Sequence, residues 1–175
     1  MLNVRRESDE VLYPKGDVVF LSAPDLQELK ALAVLNPRQR VRLCAHQNPN
    51  DLLHEMFIVH MQDCYVRPHK HMGKVESMTV LEGEVDVVLF HDDGSIRQVI
   101  PMGTPDSGKV FYQRLCSEIF HTLVIRTEFL VFHESTEGPF SRVKTIFPEW
   151  APPEQGVASK SFMDRIGSLI SNRGE

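Results

Sequence analysis

From Val41 to Glu134 the chain is broken into short runs rich in Val, Ile, Leu, Phe and Tyr, separated by turn residues. That texture restricts the region to an all-β sandwich or barrel. The runs cover residues 41–45, 56–65, 77–81, 85–90, 97–101, 109–114, 122–126 and 129–134. His91-Asp-Asp-Gly94 carries a hairpin-turn signal, and Leu81-Glu-Gly83-Glu84 carries another. The run beginning Met56-Phe-Ile-Val is apolar on both faces, so its outer face needs a cover, either a helix packed on the barrel or a second copy in a homodimer.

Helical signals flank this region. Ser22-Ala-Pro24-Asp25 combines a capping hydroxyl, an early proline and an acid in the first turn. Leu26, Leu29, Leu32 and Ala33 then recur at helical spacing until Asn36-Pro37, where proline disfavours helical geometry in the residue before it. The stretch from Phe147 through Trp150 to Glu154 is too proline-rich for regular structure and is expected to lie extended over the barrel. Ser161-x-x-Asp164 resembles a capping box opening a short helix with Phe162, Ile166, Leu169 and Ile170 on one face. The expected organisation is an N-terminal extension over 1–23, a barrel with its preceding helix over 24–146, and a tail over 147–175.

A chain of 175 residues fits one domain, and 42% hydrophobic with 25% charged residues is ordinary for a globular protein. A net charge of −5 without a basic stripe argues against nucleic acid as a partner. No apolar run approaches the roughly 20 residues that cross a bilayer. The start MLNVRRESDE has no signal-peptide core, so a cytoplasmic protein with no membrane partner is expected. Cys44, Cys64 and Cys116 are odd in number, widely spaced and without a C-x-x-C pair, which reads as buried thiols rather than a disulfide framework.

The chemistry concentrates at His69-Lys-His71, followed after four residues by Glu76. Residues two apart on an extended strand share a side, and a short turn returns Glu76 beside the imidazoles. Imidazole and carboxylate together suit one divalent ion such as Zn, Fe, Mn or Ni. His121, at the head of a later β run, is the best candidate for a fourth ligand. His54 and His91 read as ordinary histidines.

Pro68-His69-x-His71-x4-Glu76-x6-Gly83 matches the first motif of the cupin superfamily. His121 stands where the second cupin motif has its histidine, although Cys116-Ser-Glu-Ile-Phe-His121 lacks the glycine and proline usual there. Three further stretches resemble the WbuC-type cupin metalloproteins: Asn36-Pro37-Arg38-x-Arg40, Tyr65-Val-x-Pro68-His69-x-His71, and Glu134-x-x-Glu137-Gly138-Pro139 followed by Trp150-Ala-Pro. The resemblance covers about residues 24 to 155. It implies a cupin double-stranded β-helix with a metal inside the barrel. It also implies a sugar-related role, since the family takes its name from surface-polysaccharide gene clusters.

Around the metal motif, Arg38, Arg40, Arg42, Cys44 and His46 fall on one side of a strand, opposite Val41, Leu43 and Ala45. Arg40 and Arg42 are candidates to bind an anionic substrate, whereas arginines paired with acids would be the structural alternative. Tyr65 and Arg67 share the parity of His69 and His71 and are candidates to line the same cavity, unless Pro68 breaks the register. Glu134 and His46 are candidate bases. These features fit a metal-dependent enzyme (an isomerase or epimerase, a lyase or a dioxygenase) acting on a small sugar-like or anionic molecule. The alternative is a non-catalytic metal-dependent binder or sensor of such a ligand.

Overall fold

Each face of the Met56-Phe-Ile-Val run has its own partner in the folded chain. The computed structural model describes residues 2–153 and 156–172. Glu154 and the last three residues, the ends of the proline-rich and tail segments read above, lie outside the described residues. In chain order the elements are β1 (Val4–Arg6), β2 (Val11–Pro14), α1 (Ala23–Leu35), β3 (Arg40–Cys44), β4 (Leu53–Met61), β5 (Lys70–His71), β6 (Glu76–Glu82), β7 (Val85–Phe90), β8 (Ile96–Met102), β9 (Tyr112–Leu115), β10 (Phe120–Ile125), β11 (Phe129–Glu137), β12 (Thr145–Ile146) and α2 (Val157–Ser171). A large sheet runs β1-β2-β3-β4-β11-β6-β9, a smaller one β10-β7-β8, and β12 pairs with β5 as a two-stranded ribbon.

Alternation along the strands sorts side chains into layers. Met56 and Ile58 of β4 lie between the two sheets with Met78 and Val80, Val85, Val87 and Leu89, Leu123 and Ile125, and Leu130 and Phe132. Val59 lies on the opposite face with Val41, Leu43 and Val131, where Leu29 and Ala33 of α1 cover it. The helix therefore supplies the cover that the doubly apolar run required. The same parity sets β3: Val41 and Leu43 face α1, which turns Arg40, Arg42 and Cys44 toward the barrel interior.

α1 begins as its sequence implies. The Asp25 carboxylate accepts from the Ser22 backbone N–H at 2.9 Å and from its hydroxyl at 2.6 Å, and Asn36 ends the helix in extended geometry. The tail departs from expectation. α2 starts at Val157, directly after Gly156, and the Ser159 hydroxyl donates to the Gly156 carbonyl at 2.8 Å. Ser161 and Asp164 are thus inside the helix and cap nothing. Phe162 and Ile166 of α2 are buried with Val88, Phe90, Phe120 and Val124, with Ile170 packed beside them, while Leu169 is exposed.

All eight expected β runs are strands, with ends displaced by a few residues. Four more were not legible. β1 and β2 come from the expected N-terminal extension, and β2 joins β3 in parallel through Val11↔Arg42 and Leu12↔Leu43. β5 and β12 hold two residues each, too few to show a period. Cys44 and Cys64 are buried as expected, but Cys116 is exposed. No helix among the described residues is long and apolar enough to cross a membrane.

Candidate metal centre

The β10 strand positions the site. His121 sits at its second residue, and its backbone forms a two-way bridge to His69: His69 N–H donates to the His121 carbonyl at 3.1 Å and His121 N–H to the His69 carbonyl at 2.9 Å. His71 follows in β5, and Glu76 opens β6 after the turn at Gly73. Residues far apart in sequence are thereby brought onto one wall of the barrel. The ligand nitrogens of His69, His71 and His121 lie within 4.8 Å of one another. Glu76 closes the set, its two carboxylate oxygens 2.9 Å from His121 Nε2 and 3.1 Å from His71 Nε2.

The other ring nitrogens are already engaged. His69 Nδ1 meets the Arg67 carbonyl at 2.8 Å, His121 Nδ1 meets the Ile119 carbonyl at 3.0 Å, and His71 Nδ1 meets the Thr145 hydroxyl at 3.2 Å. Bonds of this kind fix ring orientation and leave Nε2 as the coordinating atom. A divalent ion with bonds of about 2.0–2.2 Å spans donors separated by up to about 4.3 Å, so this donor set fits one ion after a small contraction. Removing the oxygen that orients His71 should weaken the site without dismantling it. In Thr145→Val, metal affinity measured by chelator competition is expected to fall about 10- to 100-fold, with the fold intact by circular dichroism; undiminished affinity would show that Thr145 does not orient His71.

Burial and mutual charge shape the ionisations. Burial, reinforced by the neighbouring His121 and His71, pushes the His69 imidazole down to about 3, so it is neutral and ready to coordinate. Burial also opposes charge on His121, but the Glu76 carboxylate outweighs it and holds that imidazole above its ordinary value. Burial would raise Glu76, yet the adjacent His121 and His71 hold it well below the usual carboxylate range. Glu134 goes the other way: burial and the Glu76 charge push it up to about 8 against the opposing pull of Arg42 and His121.

The cluster opens into a cavity of about 670 Å³. Its lining includes all four candidate ligands together with Glu134, Arg40 and Arg42. Arg40 and Arg38 are paired with Glu10, at 2.9 and 3.1 Å, so acid pairing accounts for part of the arginine row. The other candidates lie elsewhere. His46 does not line the cavity; it stacks on His54 with ring centroids 4.0 Å apart and contacts the Glu55 carbonyl through Nδ1 at 3.1 Å. Tyr65 donates to the Pro152 carbonyl at 2.9 Å, and Arg67 donates to the Ala151 carbonyl at 3.0 Å while lying over Phe147. Residues 65–68 are not in a strand, so alternation does not carry from His69 back to them; Tyr65 and Arg67 instead tie down the proline-rich segment around Trp150.

Several lining residues had no sequence signal strong enough to single them out: Gln113, Phe140, Arg142 and Thr145. His60 did carry one, a polar residue at the inward parity of Met56 and Ile58 on β4. Burial and the nearby Arg40 and Arg42 push its imidazole down to about 3. The folded form therefore resists a proton that the unfolded chain takes up below about 6.5. Stability from this group is complete above that pH and is lost as pH falls toward 3, by at most about 1.4 kcal/mol per pH unit. His60→Gln is expected to show a shallower loss of urea-unfolding free energy between pH 6 and pH 4.5 than the natural protein, by roughly one proton. Equal slopes would place His60 in contact with water or an acid.

A family model described as a domain of unknown function (DUF6016) matches residues 21–102. No curated protein sequence matches the chain. Among solved structures, the capsular polysaccharide assembling protein CapF from Staphylococcus aureus aligns with a TM-score of 0.52 at 15% identity, over 65% of this chain and 33% of that one. A sugar phosphate isomerase from a cupin superfamily of Silicibacter pomeroyi aligns with a TM-score of 0.40 at 20% identity, over 50% and 52% of the two chains. Lactobacillus farciminis oxalate decarboxylase aligns with a TM-score of 0.44 at 13% identity, over 55% and 27%. The chain spans less than two thirds of the length of each of these proteins. What the alignment with CapF shows is the fold, the small double-stranded β-helix of cupins, to which this chain adds α1 and α2.

Proposed function

We propose that this cupin-fold chain is a metal-dependent enzyme acting on a small polar or anionic molecule of the sugar or sugar-acid class. The observation that carries the reading is the convergence of His69, His71, Glu76 and His121 on the wall of a cavity of about 670 Å³, large enough for such a molecule. A purely structural metal site is closed by protein ligands; this one faces open space. These four side chains would hold one divalent ion, with Zn, Fe, Mn and Ni all compatible with the donors. Bound there, the ion supplies a Lewis acid for a carbonyl or hydroxyl oxygen, or an activated water.

The remaining chemistry falls to the chain itself. Glu134 of β11 lines the same cavity, where the charges of Glu76, Arg42 and His121 act on it, and in this reading it moves a proton on a bound molecule. Arg42 offsets negative charge on that molecule, while Phe140, Arg142 and Thr145 line the wall and narrow the space. Isomerisation, epimerisation and lyase chemistry use these parts, and oxygenation is the corresponding reaction if the ion is iron. The sugar class is what the WbuC resemblance of residues 24 to 155 implies, with surface-polysaccharide metabolism as the setting.

The test starts with metal analysis of protein purified without chelator, followed by turnover assays on aldonic acids and sugar phosphates with the preferred ion restored. Glu134→Gln is expected to keep one ion per chain and to lose catalysis by about 100-fold or more. Metal binding with no turnover and no solvent-deuterium incorporation on any of these substrates would instead assign the cavity to a metal-dependent binder.

A further inference from the structure

Three polar atoms on the cavity wall have no partner supplied by the fold. Arg42 Nε, His60 Nδ1 and Gln113 Oε1 are buried and without a hydrogen bond among the described residues, and all three residues line the cavity that holds the candidate metal ligands. They come from β3, β4 and β9, on separate stretches of the large sheet. An unpartnered buried polar atom is costly, and native proteins keep few of them. Three around one space indicate that the space takes a ligand with matching groups.

The charge pattern says which kind. Arg38 and Arg40 share the Glu10 carboxylate, Arg126 is paired with Asp86 at 2.6 Å, and Lys30 is paired with Glu82. Arg42 makes no contact ion pair among the described residues; its charge acts on Glu134 across the same cavity, whose walls include Val11, Ile58, Val66 and Phe132 as well as the acids Glu10 and Glu76. A guanidinium in such surroundings calls for an anion, and its planar fork suits two oxygens at once. His60 is 8% exposed and uncharged at neutral pH, so beside Arg42 it offers one hydrogen bond and no competing charge. The Gln113 amide offers another, of the kind a hydroxyl satisfies.

We infer that Arg42, His60 and Gln113 form a second pole of the cavity that binds the oxyanion head, carboxylate or phosphate, of a hydroxylated substrate whose other end faces His69, His71, Glu76 and His121. This inference rests on the metal-site reading above and gives that site an orientation: anion at β3 and β4, reacting end at β5, β6 and β10, with Glu134 lining the same cavity.

The test is calorimetric titration of glycolate, acetate and inorganic phosphate into the full chain, with its metal and after chelator treatment. For the natural protein, binding of glycolate or phosphate is expected, and whichever is tighter identifies the head group. Arg42→Gln is expected to weaken that anion about 10- to 100-fold, with metal content unchanged, while the exposed Arg97→Gln binds as the natural protein does. Gln113→Leu should narrow the preference for glycolate over acetate. If Arg42→Gln does not fold, Arg42→Lys keeps the charge without the Nε donor and should still weaken binding by about tenfold. Absence of binding by both glycolate and phosphate, or equal affinity in the folded Arg42 variant, overturns the subsite. Failure of the natural protein to take up metal would sink the metal reading separately, and the titration of the metal-free chain would still decide the subsite.

Discussion

His121→Ala is expected to have the largest effect of any substitution at the site, removing the metal and destabilising the fold together. His121 is buried to 7% exposure and its Nε2 lies 2.9 Å from a Glu76 oxygen. Glu76 is held ionised largely by this neighbour. Truncating one member of a buried pair leaves the other charge without compensation, which costs about 3–5 kcal/mol. Loss of a direct ligand should lower metal affinity by more than the roughly 10- to 100-fold that removal of an orienting partner costs. Elemental analysis and urea unfolding, run with and without added metal, read both effects. A variant that retained one tightly held ion per chain would show that His121 is not a ligand and that His69, His71 and Glu76 suffice.

The second large effect lies at Gly83, in the turn that joins β6 to β7. Its φ is +84°, and a Cβ there would lie 2.2 Å from the Phe129 carbonyl oxygen and 2.5 Å from Thr127 Oγ1. Neither neighbour is free to retreat. The Thr127 hydroxyl donates to the Phe129 carbonyl at 2.7 Å and accepts from the Glu84 N–H at 2.9 Å, and Phe129 begins β11, which is held between β4 and β6 inside the large sheet. Gly83→Ala therefore adds a backbone clash to the left-handed strain, for a total of about 3–4 kcal/mol and a melting temperature lower by about 10 °C. Gly73→Ala is the control, since its φ is +60° but nothing lies within 4 Å of the added carbon; there the loss should stay near 1–2 kcal/mol. Equal melting temperatures for the two variants would show that the turn at Gly83 relaxes and that its glycine answers only to φ.

Both His121 and Gly83 belong to motifs legible in the sequence. The spacing of His69, His71, Glu76 and Gly83 carries local information: two imidazoles at strand period, a turn that returns the acid, and a glycine where the next turn closes against β11. Arg42 was placed on the correct side of its strand by alternation alone, because Val41 and Leu43 had to be buried on the other. Tyr65 and Arg67 do not line the cavity, since no sheet hydrogen bonds hold residues 65–68 in a period of two. His46 does not line it either, because its strand ends at Cys44 and its ring stacks on His54.

The amino-acid order by itself determined the local facts about this protein: where eight of the strands and the first helix form, which residues turn the chain, and which three side chains near residue 70 are candidate ligands. Those follow from periodicity, capping and turn chemistry, which act over a few residues. Tertiary structure decided the backbone bridge that sets His121 against His69, the contact of Thr145 with His71 Nδ1, the pairing of Glu10 with Arg38 and Arg40, and the one cavity that Arg42, His60 and Gln113 share. The reason is that β-sheet neighbours are set by pairing between distant strands, and strand pairing depends on how the whole set of apolar faces is buried at once.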